Sequence, residues 1–145
     1  MAEDEAVAVG SGRRPRVWRE SSVSIEFAYA DLSAVRRLVE AHALTAGLPE
    51  SQRRDAVLAV DEIASNAVRH GGGGGRLDLW HSPGWLWFRV VDGGDGLPDG
   101  VGPSLPGPAQ PNGRGLWIAK RLADQLTVDT GPDGTTVTGG FAAAA

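Results

Sequence analysis

Three short stretches of this chain carry groups that could do chemistry, and the first of them lies on a helix. Ala56 to Gly71 reads AVLAVDEIASNAVRHG, with Val57, Val60, Ile63, Ala64, Ala67 and Val68 at helical spacing. Glu62 and Asn66 stand four residues apart, so their side chains stack one turn apart at one edge of that apolar stripe. A carboxylate and a carboxamide there could serve a metal, a phosphate or a water. Taken alone, they equally suit the polar flank of a core helix. The second stretch is Asp92-Gly93-Gly94-Asp95-Gly96. Glycines this dense after a strand allow a sharp turn and the close approach of something flat. An ordinary glycine turn would look the same. The third is Gly113-Arg114-Gly115-Leu116. A glycine-flanked helix start presents free N–H groups and a positive dipole end, a generic anion site, and Arg114 adds a charge.

The elements that must position these groups follow from the pattern. Val23, Ile25 and Phe27 alternate with polar residues and predict a first strand. Asp31 is placed to cap a helix from Leu32 to about Ala46, whose inner face is Leu32, Val35, Leu38, Val39 and His42. Gly47 ends it, and Pro49 and Glu50 suit the first turn of the central helix, which runs to about His70. Gly71 to Gly75 then reads as a floppy connection. Arg76 to His81 and Trp85 to Asp92 predict a hairpin around Ser82-Pro83-Gly84. Leu77 and Leu79, with Leu86, Phe88, Val90 and Asp92, give the sheet an aliphatic side. Trp80, Trp85, Trp87 and Arg89 fall on the opposite side, which reads as an open face and an interface. The 97–112 loop, rich in Gly and Pro, is long enough to be functional. A helix then runs to about Asp124 with Leu116, Ala119, Leu122 and Ala123 inward. Strands follow at Leu126 to Thr130 and Thr135 to Phe141, joined through Pro132-Asp133-Gly134.

Composition bounds the function. At 145 residues, 41% of them hydrophobic, the chain suits one domain: an N-terminal segment 1–16 expected to be disordered, a folded unit 17–141 and a tail 142–145. The net charge of −4, with no basic run longer than two residues, argues against a nucleic-acid or acidic-membrane partner. The absence of cysteine excludes a disulfide scaffold and a thiolate zinc site and suits a reducing cytoplasm. The acidic start lacks the features of a signal peptide, and no window nears the roughly 18 apolar residues of a membrane span. The glycine run after His70 follows a helix and precedes a strand, the wrong context for a dinucleotide fingerprint. No P-loop motif is present.

Taken in chain order, E-x-x-x-N on a helix, D-x-G-x-G after a strand, a long loop, G-x-G at a helix start and G-T on a final strand resemble the GHKL ATP-binding superfamily. Within it, DEIASNAVRHG, VVDGGDG, GRGLWIAKRLAD and GPDGTTV are similar to bacterial anti-sigma regulatory factors, the serine/threonine kinases of the sigma-regulatory type. The resemblance spans Phe27 to Phe141. It implies an α/β (α+β) two-layer sandwich of Bergerat type: a mixed, largely antiparallel sheet with helices on one face. ATP with Mg²⁺ would lie between the layers. Asn66 would bind the metal, and Glu62 would be the general base; Arg114 would steady the γ-phosphate or equally be a solvated surface charge. Asp92 would accept the adenine amino group, Gly94 and Gly96 would leave room for the ring, and Thr135 would support Asp92. Gly113 and Gly115 would bring amides to the phosphates. The implied partners are a sigma factor and a STAS-type anti-anti-sigma protein, and the tryptophan face predicts either a homodimer or a sigma or regulator contact. A non-catalytic ATP-binding adaptor would use most of the same residues.

Overall fold

The computed structural model describes residues 22–94 and 114–144. The 1–16 segment, the 97–112 loop, Gly96 and Gly113 lie outside the described residues, as does the side chain of Arg114.

The alternating segment forms β1 (Val23–Ala28). Two helices follow, α1 (Leu32–Thr45) and α2 (Glu50–His70). The hairpin strands are β2 (Gly74–Ser82) and β3 (Trp85–Asp92). A third helix, α3 (Arg114–Leu122), precedes β4 (Gln125–Gly131) and β5 (Gly134–Ala142). The sheet order is β1-β2-β3-β5-β4, and every pairing among the described residues is antiparallel.

The core is the layer between helices and sheet. Val35 and Val39 of α1, Val60, Ile63 and Ala67 of α2, and Leu116 and Ala119 of α3 bury against Leu77, Leu79, Phe88, Val90 and Phe141. The expected helical stripes therefore face the expected aliphatic side of the sheet. Fully burying each large aliphatic or aromatic side chain contributes roughly 1.5–3 kcal/mol. The α1–α2 corner is closed by Gly47 at φ 90°. Gly47 N donates to Leu44 O at 3.0 Å and Leu48 N to Ala43 O at 3.0 Å, while Leu48 is buried. This is a Schellman end with its hydrophobic contact.

Three local expectations change. Asp31 stands before α1 but makes no side-chain cap to it; its Oδ2 accepts from Ala28 N at 3.0 Å and closes the short 3₁₀ turn Tyr29–Asp31 instead. Gly74 and Gly75 are not floppy. They belong to β2 and pair with Ala28 and Phe27, where neighbouring carbonyls lie too close for a side chain. The tryptophan side of the sheet is also less open than the alternation suggests. Trp80 is only 1% exposed, and Trp85 and Trp87 are half-buried. Trp85 and Trp87 stack with centroids 4.7 Å apart, and Trp87 stacks on Trp80 at 6.3 Å. Trp87 also lies across Gly140 on β5, as Phe88 lies across Gly139 on the other face. The tryptophan rings thus cover one another and Gly140, rather than standing clear.

On the helix side, His81 of β2 meets His42 of α1 edge-on, with ring centroids 6.1 Å apart. His42 Nδ1 is 3.2 Å from Leu38 O. Burial, and then the charge of His42, lower the pKa of His81 below its ordinary 6.5. The folded chain therefore binds fewer protons there than the unfolded chain just below pH 6.5. Stability present above that pH is lost as pH falls through the folded value. Thermal melts from pH 7.5 to 5 should show this loss, and His81→Gln should flatten the profile.

Candidate functional site

The helix α2 carries Glu62 and Asn66 to the sheet layer because its apolar face must pack there. The two side chains meet the first turn of α3. A Cβ at Gly115 would come within 3.0 Å of Asn66 Nδ2 and 3.3 Å of Glu62 Oε1. A side chain there would press on both groups, which would have to give by a few tenths of an ångström. Asn66 is 8% exposed, and its buried Nδ2 has no hydrogen-bond partner among the described residues. Its Oδ1 accepts from Arg69 Nη2 at 3.0 Å.

The strand β3 carries Asp92 to the same layer from below. Asp92 Oδ1 accepts from Gly94 N at 3.0 Å, so the carboxylate folds back over its own turn. Gly71, at the C-cap of α2, presses on the other side of that carboxylate: a Cβ there would lie 2.6 Å from Asp92 Oδ2. Gly94 in turn packs on Gly71, its missing Cβ 2.6 Å from the Gly71 Cα. Gly134, at φ 134°, leaves room for the Asp92 carbonyl. Thr135 is the cross-strand partner of Asp92. Its hydroxyl pairs with that of Thr130 at 2.8 Å rather than with the carboxylate.

Between these groups lies a narrow cleft of about 20 Å³, partly open to solvent. Its walls are Ile63, Asn66, His70, Val90, Asp92, Leu116, Thr135 and Val137. The mix of an apolar floor with a few convergent polar groups is typical of small-ligand sites. The structure therefore brings Asn66, Asp92 and Thr135 to one cleft. Gly94 lies beside Asp92, and Glu62 and Gly115 lie beside Asn66. Arg114 is the first residue of α3. Arg121 stacks on Trp117 at 5.0 Å, on a solvated part of that helix.

Sequence reading did not single out Arg69, Gly71 or Gly134. The i, i+3 spacing of Asn66 and Arg69 could have flagged the first. The glycines' role depends on Asp92, which is distant in sequence, and no local pattern carries it.

The chemistry of the cleft suits an adenine nucleotide. A carboxylate is a pure acceptor for an exocyclic amine, apolar walls suit the ring, and an unpartnered buried amide awaits an acceptor. A hard divalent cation suits the Asn66 carbonyl. Among the described residues no group of three or more His, Cys, Asp or Glu side chains could hold a metal by itself.

Comparison with known proteins defines the class. A family model described as the histidine kinase-like ATPase domain matches residues 25–139, and the chain belongs to that family. The fold is similar to the RsbU and RsbW domains of Rv1364c from Mycobacterium tuberculosis (22% identity, TM-score 0.61, 83% of this chain and 31% of that one). It is also similar to the histidine kinase domain of the blue-light activated histidine kinase EL346 from Erythrobacter litoralis (23% identity, TM-score 0.53, 77% of this chain and 60% of that one). The chain thus spans less than two thirds of either structure. No curated protein matches it significantly. No helix among the described residues is long and apolar enough to cross a membrane.

Proposed function

We propose that this chain is an ATP-binding anti-sigma regulatory factor that phosphorylates a serine or threonine of a STAS-type anti-anti-sigma protein. The observation that carries the reading is the meeting of Glu62 and Asn66 at the first turn of α3. A carboxylate placed beside a phosphate-binding helix start is what transfer chemistry adds to simple binding. The motif set supports the subclass, and the likeness to a structure that contains an RsbW domain agrees with it.

In this reading Asp92 holds the adenine amino group and Asn66 the Mg²⁺ ion. The amides of Gly113 and Gly115, with Arg114, would serve the phosphates. Mg²⁺, when bound, neutralises charge on the phosphate oxygens. Glu62 accepts the proton of the substrate hydroxyl. That oxygen forms a bond to the γ-phosphorus as the bond to the β-phosphate bridging oxygen breaks, and ADP leaves. Most of the catalysis is positioning, which the rigid α2–α3 contact supplies. A sigma factor and a second copy of the chain are the further partners this reading implies.

The test is incubation of the chain with a STAS protein and ATP labelled at the γ-phosphate. Label on a serine or threonine of the STAS protein is expected. Nucleotide binding with no transfer to any STAS protein would favour the non-catalytic adaptor.

A further inference from the structure

The carbonyl that the proposed reading assigns to the metal is already in use. Arg69 lies one turn beyond Asn66 on the same face of α2 and donates from Nη2 to Asn66 Oδ1 at 3.0 Å. Arg69 is exposed, whereas Asn66 is buried. Among the described residues no carboxylate pairs with Arg69. The guanidinium can only donate, whereas a carboxamide has one accepting end and one donating end. Arg69 therefore holds the oxygen of Asn66 toward itself and turns Nδ2 toward α3. There Nδ2 is buried without a partner among the described residues, next to the position a Gly115 side chain would fill. A buried donor left unmade is unfavourable, and the bond to Arg69 is what holds the amide this way round.

We propose that Arg69 is a cation that competes with the divalent metal for the Asn66 carbonyl. It occupies the oxygen when metal is absent and must release it when metal arrives. This inference rests on the nucleotide-binding reading above. The oxygen has two lone pairs, but two cations within a few ångströms of one another repel strongly in a half-buried site. Arg69 thus sets how much Mg²⁺ the site requires. It is a positioning residue that acts through Asn66, and its exposure leaves the guanidinium room to swing away.

The experiment is calorimetric titration of ADP into the full chain over a series of Mg²⁺ concentrations, including excess chelator. Wild type, Arg69→Met and Arg69→Lys are compared. Methionine keeps the apolar stem without the charge, and lysine restores a charge on a flexible stem. The Mg²⁺ concentration giving half of the metal-dependent gain in affinity should fall roughly tenfold in Arg69→Met, the effect of removing one nearby like charge. Arg69→Lys should return it toward wild type. An unchanged or raised half-point in Arg69→Met, with ADP still bound, would overturn the competition. Failure of wild type to bind ADP at any Mg²⁺ concentration would overturn the nucleotide reading itself. Matching thermal melts of the three proteins show that the fold is intact.

Discussion

Asp92→Asn should reduce ADP and ATP affinity by roughly 10- to 150-fold, the range expected for losing a hydrogen bond to a charged group at a buried site. The reason lies in how the carboxylate is held. Asp92 Oδ1 is committed to Gly94 N at 3.0 Å. An asparagine would keep its oxygen on that amide, because its own NH₂ cannot accept from an N–H. The NH₂ would then replace Oδ2, beside Gly71, where the nucleobase edge is proposed to lie. Two donors would face each other. The same logic gives a second, sharper outcome. A purine with a carbonyl in place of the 6-amino group presents an acceptor there. Inosine diphosphate should therefore bind Asp92→Asn better than wild type, while ADP does the reverse. Calorimetry on the four protein–nucleotide pairs reads this directly. If Asp92→Asn leaves ADP affinity unchanged, the adenine end does not sit at Asp92. Equal loss for both nucleotides would mean a damaged fold rather than reversed recognition.

Much of this site was legible in the sequence because its residues sit at the ends of strongly periodic elements. The stripe of α2 fixes which way Glu62 and Asn66 lean, and the alternation of β3 puts Asp92 on the covered side with Phe88 and Val90. The strand bounds moved by a residue or two, as pattern reading allows. What the sequence did not disclose depends on contacts between distant segments. Gly74 and Gly75 look like a loop because glycine disfavours strands, yet the carbonyls of Phe27 and Val91 press against them and leave no room for a side chain. Period-two alternation correctly placed Trp80 opposite the core. It could not show that Trp80 would be covered, because alternation gives a face and not its neighbours. Asp31 had the right type for a cap, but the 3₁₀ turn before α1 offered its carboxylate the Ala28 amide first. The amide orientation of Asn66 belongs to the same class. A single i, i+3 partner decides it, and nothing in the stripe of α2 indicates which end of the carboxamide that partner takes.

Glu62→Gln is the change that separates binding from transfer. Glutamine has nearly the shape of glutamate and keeps an oxygen, so the contact with the start of α3 near Gly115 should survive. What it loses is the capacity to take a proton. Removing a positioned general base typically costs between 10² and 10⁴ in rate. Phosphate transfer to the STAS substrate should fall by that amount, while ADP affinity changes less than about threefold. A quench-flow or endpoint assay with saturating ATP reads the first quantity, and calorimetry reads the second. The contrast with Asp92→Asn is what gives the pair its force. Asp92, proposed to hold the base, should affect affinity for every nucleotide that carries the amino group. Glu62, proposed to stand beside the phosphates, should affect only the chemical step. A transfer rate that survives Glu62→Gln would place the proton elsewhere, on the substrate's own phosphate oxygens or on solvent. Glu62 would then be the polar flank of a core helix, the role its spacing equally allows, and the cleft's chemistry would rest on charge and geometry alone.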